Sequence, residues 1–137
     1  MAKISPQEAL IYIMITTSAA DSKLTLNELS SIADIVSHYP AFDGFDTSRL
    51  DALAADCFGY LEREDGIDQI LKICHDALTE KLRNTAYAFA VEVASADLDV
   101  QQEELQFLQI MRDSWELEDL TVAALERSAR IRFRKIK

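Results

Sequence analysis

The sequence predicts a single compact all-α domain of about seven helices, and three observations lead there. Apolar residues recur at spacings of three and four along most of the chain. Helix-opening patterns punctuate it, with Ser5-Pro6-Gln7-Glu8 and Thr25-Leu26-Asn27-Glu28 each placing a capping hydroxyl three residues before a glutamate. Only three glycines and two prolines occur in 137 residues, and strand-like alternation is confined to the last few positions. With 49% hydrophobic and 28% charged residues the chain is neither disordered nor fibrous. A domain of this length buries roughly two-thirds of its unfolded surface and folds without disulfides or a structural metal.

The elements follow in order. Ser5 caps a first helix with proline at its first position, running to about Ala20. Thr25 opens a second, whose apolar stripe Leu29, Ile32, Ile35 and Val36 ends before Pro40. After a loop around Phe42-Asp43-Gly44-Phe45, Asp46 or Thr47 caps a third helix carrying Leu50, Leu53, Ala54, Cys57 and Leu61 on one face. Glu64-Asp65-Gly66 breaks it. Ile67, Ile70, Leu71, Cys74 and Leu78 mark the fourth helix, and Thr79-Glu80 opens a fifth that passes through Tyr87, Phe89, Val91 and Val93 to Ala96. Leu105, Leu108, Met111 and Trp115 outline the sixth, and Leu120, Val122, Ala123 and Leu125 the seventh. Tyr12, Tyr87 and Phe89 have apolar neighbours and are assigned to the core.

Charge is distributed unevenly. The chain has 24 acids, 14 bases and a net charge of −10, a balance that argues against nucleic-acid binding and for cations or basic surfaces as partners. Six bases, Arg127, Arg130, Arg132, Arg134, Lys135 and Lys137, fall within the last eleven positions, where there is no acid. The chain thus divides into an acidic helical body, residues 1–126, and a basic tail, 127–137. In the tail, Arg130-Ile131-Arg132-Phe133-Arg134-Lys135-Ile136-Lys137 alternates basic and apolar side chains, a pattern suited to an anionic lipid surface, a partner's acidic groove or the acidic body itself.

Cys57 and Cys74 have neither CxxC nor Cys/His zinc spacing and are expected to be buried thiols of a reducing compartment. The longest uncharged run, Ala9 to Ala20, is too short to cross a bilayer, and Pro6 and Glu8 spoil the start as a signal peptide. A cytoplasmic protein is expected. Cys74, His75 and Asp76 are consecutive and point about 100° apart on a helix, which excludes a catalytic triad. His38, near a helix end, is expected to satisfy that terminus.

The chain repeats itself at an offset of 76 residues. Ala20-Asp21-Ser22-Lys23-Leu24-Thr25-Leu26-Asn27-Glu28-Leu29 lies over Ala96-Asp97-Leu98-Asp99-Val100-Gln101-Gln102-Glu103-Glu104-Leu105, both reducing to A-D-x-x-(Leu/Val)-x-x-x-E-L. Each copy joins one helix to the next, with an Asp at the turn and a Glu in the following first turn. An aspartate just past a helix C-terminus faces the negative end of the macrodipole, at a cost of roughly 0.3–1 kcal/mol unless a cation is near. The glutamates have another explanation: Glu28 completes a capping box with Thr25, and Glu104 sits where a helix welcomes negative charge. If the two hairpins pack about a pseudo-twofold, Asp21, Glu28, Asp97 and Glu104 converge, and four converging carboxylates suit a hard cation such as Ca²⁺ or Mg²⁺. The competing reading is two exposed turns with ordinary caps. An EF-hand is excluded, because Asp to Glu spans seven positions with no intervening glycine.

In these segments the sequence resembles the TerB-like tellurite resistance family, whose domain carries, once early and once late, an apolar helix ending A-x-A-D-G followed by a hydrophobic residue and E-x-x-x-(apolar). The corresponding residues are Ser18-Ala19-Ala20-Asp21-Ser22 through Glu28-Leu29, and Ser95-Ala96-Asp97-Leu98 through Glu104-Leu105. Ser22 and Leu98 stand where the family usually has glycine. The resemblance extends from about Pro6 to Trp115 and implies an all-helical fold, a stress-response setting and a divalent-cation site at Asp21, Glu28, Asp97 and Glu104. Tellurite is an oxyanion, which an acidic site in a domain of net charge −10 would repel. The expectation is therefore a non-enzymatic module that binds a cation, Ca²⁺ before Mg²⁺, and presents a surface to protein partners, membrane-associated ones among them, or to further copies of itself. The alternative is a metal-free helical scaffold that assembles through its acidic body and basic tail. A metal-assisted hydrolase on the same acids ranks last, since the sequence indicates neither an open coordination position nor a pocket.

Overall fold

A computed structural model describes residues 3–19, 26–96 and 102–136, and these form seven α-helices with no strand among them. They are α1 (Pro6–Ser18), α2 (Leu26–His38), α3 (Leu50–Leu61), α4 (Gly66–Ala77), α5 (Glu80–Ser95), α6 (Gln102–Trp115) and α7 (Asp119–Arg132). Short 3₁₀ turns at Pro40–Phe42 and Thr47–Arg49 carry the chain from α2 to α3. The all-α expectation holds, helix by helix.

α1 is the hub. Every residue from Ala9 to Ser18 is buried, and the helix packs against α2, α3, α4, α5 and α6. A helix that is apolar all round has no face to give to water, so it takes the centre. Its start is the predicted capping box: Ser5 Oγ accepts from Glu8 N–H at 3.1 Å, and Glu8 Oε1 accepts from Ser5 N–H at 2.7 Å. Glu8 also meets Arg49 at 2.5 Å, tying α1 to the entrance of α3. The Ser5 amide and the Arg49 guanidinium together hold the Glu8 carboxyl below its ordinary range.

The remaining caps follow the sequence. Asp46 Oδ1 accepts from Ser48 N–H at 3.0 Å, and Thr79 Oγ1 accepts from Leu82 N–H at 3.4 Å. His38 Nδ1 lies 2.8 Å from the Asp34 carbonyl in the last turn of α2, as its position implies. Thr25, assigned as the cap of α2, lies outside the described residues.

Two chain reversals have specific backbone causes. Gly66 opens α4 so close to α3 that a Cβ there would stand 2.0 Å from the Tyr60 carbonyl oxygen, so only glycine permits this corner. Glu116 ends α6 at φ 51°, with Leu117 N–H donating to the Arg112 carbonyl and Glu116 N–H to that of Asp113. That is a Schellman ending without its usual glycine.

α7 is held differently from α1. It buries Val122 and Ala129 against α5, and is then fixed by polar contacts. Tyr87 OH donates to Glu126 Oε2 at 2.6 Å, Arg112 Nη1 donates to the same oxygen at 2.9 Å, and Arg132 Nη1 reaches Glu92 Oε1 at 2.7 Å. The basic segment therefore begins inside a helix, and Arg132 binds the acidic body.

Candidate metal centre

The Glu-Leu step of both repeat copies is turned inside out relative to the sequence pattern. Glu28, in the first turn of α2, and Glu104, in the first turn of α6, are each 1% exposed, whereas the leucines that follow, Leu29 and Leu105, are 43% and 49% exposed. Leu29 and Leu105 were expected in the core stripes; they stand at its edge, and the carboxylates take the interior position. The rest of each stripe behaves as predicted, with Ile32, Ile35 and Val36 buried on α2 and Leu108, Met111 and Trp115 on α6. Phe107 is fully buried beside them.

A helix N-terminus favours a nearby carboxylate by about 0.3–1 kcal/mol. Withdrawing a carboxylate from water costs several kcal/mol. The dipole alone does not offset that burial, so each site must supply further donors or positive charge. Glu28 and Glu104 are buried, while the two turns of the competing reading lie outside the described residues.

Both glutamates belong to helices that pack on α1, which places the two repeat copies around one central element. Ser18, at the end of α1, is also fully buried, and its Oγ has no hydrogen-bond partner among the described residues. Ser18 at the end of α1 and Glu28 in the first turn of α2 are thus a buried hydroxyl and a buried carboxylate, both oxygen donors of the type Ca²⁺ and Mg²⁺ prefer. Sequence reasoning missed Ser18, because a serine inside an apolar run looks like helix filler. Asp21 and Asp97, the other two predicted ligands, lie outside the described residues. Among the described residues, no three His, Cys, Asp or Glu side chains gather as a metal-binding group.

The other reactive side chains are occupied elsewhere. Cys57 and Cys74 are buried free thiols, with Cys57 Sγ 3.3 Å from Thr16 Oγ1 and Cys74 Sγ 3.6 Å from the Ala9 carbonyl. Burial pushes the Cys57 thiol up to about 11 and that of Cys74 upward as well, so neither supplies a thiolate at neutral pH. Cys74 faces the core while His75 lies edge-on to Trp115, which separates the thiol from the ring. Asp76 nevertheless comes within 3.8 Å of His75 at the surface. Tyr12, Tyr87 and Phe89 are core residues as expected, and desolvation raises the Tyr12 hydroxyl to about 12.

Among the described residues, open grooves flank the bundle, two of them larger than 600 Å³. One, of about 760 Å³, runs between α5, α6 and α7, with Leu105 and Leu108 along it and Arg112 and Arg130 in its wall. The other, of about 640 Å³, is lined by α3, α4 and their connection, with Ala19 and Ile110 closing it.

No family model matches the chain, and no curated protein or solved structure matches it. Among the described residues, no helix is long and apolar enough to cross a membrane.

Proposed function

We propose that this protein is a non-enzymatic TerB-like module of the cytoplasm that binds a divalent cation, Ca²⁺ in preference to Mg²⁺, through Asp21, Glu28, Asp97 and Glu104. The observation that carries this reading is the burial of both repeat glutamates at equivalent positions of α2 and α6. An ordinary cap gains nothing from complete desolvation of its carboxylate, whereas a cation ligand needs water displaced from its oxygens. Ca²⁺ is preferred because carboxylates on helix ends reach it in flexible geometry, while Mg²⁺ demands a near-ideal octahedron. The bound ion would link the α1–α2 and α5–α6 junctions and so control the surface shown to a protein partner in a stress response such as tellurite resistance.

Asp97→Asn is expected to weaken Ca²⁺ binding at least tenfold, a difference of about 1.4 kcal/mol, while Asp99→Asn leaves it within twofold. Calorimetric titration of the two variants decides the matter. Equal effects would mean that Asp97 is not a ligand.

A further inference from the structure

The groove at the α3–α4 corner has an apolar floor and an acidic rim. Phe58, Leu61, Ile67 and Ile110 form the floor, and Phe58 and Ile110 are themselves exposed. Glu62, Glu64, Asp65 and Asp68 stand around it, all exposed. Arg63 also lines the groove, and it is engaged within its own corner: its Nη1 donates to Gln69 Oε1 at 3.2 Å and its guanidinium lies 5.3 Å from the Tyr60 ring centroid. The close approach of Gly66 to Tyr60 fixes the corner that shapes the groove.

The chain itself carries a segment of the opposite character. Ile131, Phe133 and Ile136 are exposed, the last fully, and Arg134 and Lys135 are exposed between Phe133 and Ile136. Arg132 is held by Glu92 of the body and takes no part. From Arg134 to Ile136 the backbone is not helical, so no helix need unwind for these residues to enter a groove. Apolar side chains interspersed with exposed bases match an apolar floor beside exposed acids, of which Asp65 also accepts from Gln69 Nε2 at 2.9 Å. Single exposed apolar residues are ordinary on protein surfaces; two surfaces of one chain that complement each other in both hydropathy and charge are not.

We propose that the α3–α4 groove receives residues 133–136 of a second copy of this chain, with Phe133 and Ile136 on the floor and Arg134 and Lys135 against the carboxylate rim. Groove and segment are different surfaces, so the contact is heterologous and adds copies head to tail. A contact this small gives weak, concentration-dependent association, and its exposed charges make it salt-sensitive. The inference is independent of cation binding and is tested in chelator.

Sedimentation velocity of the full chain at rising concentration tests it. At about 50 mM NaCl the weight-average mass is expected to climb above the 15.4 kDa of one chain, and at about 500 mM to fall back. Arg134→Glu/Lys135→Glu reverses the segment and Glu64→Lys/Asp68→Lys reverses the rim. All four positions are exposed, and circular dichroism verifies that each variant remains helical. Each variant alone is expected to stay monomeric, and an equimolar mixture of the two to associate again, because each then offers what the other lacks. A parent chain that remains monomeric at low salt overturns the proposal. So does association that survives rim reversal, a mixture that stays monomeric, or a monomeric parent whose basic segment binds phosphatidylserine vesicles instead.

Discussion

From Ala9 to Ser18, α1 is withdrawn from water without a single charged residue, whereas α2 and α6 each withdraw a carboxylate and leave the next leucine outside. Burial in α1 needs no explanation beyond hydropathy: each apolar side chain removed from water contributes roughly 1.5–3 kcal/mol, and the helix meets five others. The Glu-Leu steps run against the same force twice, at equivalent positions of a repeat. One region is buried because of what its side chains are; the other is buried in spite of it.

The contrast is broken most severely in the apolar region. Ile13→Ala removes a fully buried side chain and is expected to cost about 2–5 kcal/mol in denaturant unfolding, by the same amount with Ca²⁺ or with chelator. Glu28→Gln/Glu104→Gln is expected to behave in the opposite way. At a Ca²⁺ concentration about a hundredfold above the dissociation constant the parent gains about 2.7 kcal/mol, and the double variant loses that gain while unfolding almost like the parent in chelator. An Ile13→Ala loss that depended on Ca²⁺, or a Glu→Gln loss that did not, would erase the distinction.

An exposed-side carboxylate sharpens it. Glu8 is held ionised by the Ser5 amide and Arg49, so its folded pKa lies below its unfolded value. Its stabilisation is therefore complete above the ordinary carboxylate range and disappears as pH falls through the folded pKa. Glu8→Ala is expected to cost about 1 kcal/mol at neutral pH and progressively less as pH falls below the ordinary carboxylate range, as measured by unfolding across pH. The smallest effect belongs to the α6 ending: Glu116→Gly relieves a left-handed residue and is expected to add about 0.5–1 kcal/mol, visible as a rise in melting temperature.

Much of the fold was legible because it depends on local rules. Capping at Ser5, Asp46 and Thr79 and the apolar stripes of α3, α4 and α5 can be read residue by residue. The Schellman ending at Glu116 was hidden, since no glycine signals it, and so was the Tyr87–Glu126–Arg112 network, which joins residues distant in sequence. The repeat identified Glu28 and Glu104 as candidates, but periodicity placed the following leucines inside. Which of two adjacent residues faces the core depends on how a helix is rotated against its neighbours, and one long-range contact can reverse it. Asp21 and Asp97 rest on the repeat alone, as they lie outside the described residues.

The most direct test is calorimetric titration of chelator-treated protein with Ca²⁺ and Mg²⁺ at moderate salt, beside the Glu28→Gln/Glu104→Gln variant. Saturable binding in the micromolar range, stronger for Ca²⁺ and abolished in the variant, is the predicted result. An absence of heat, or heat that the two substitutions leave unchanged, would contradict the account and reduce the buried glutamates to elements of the fold.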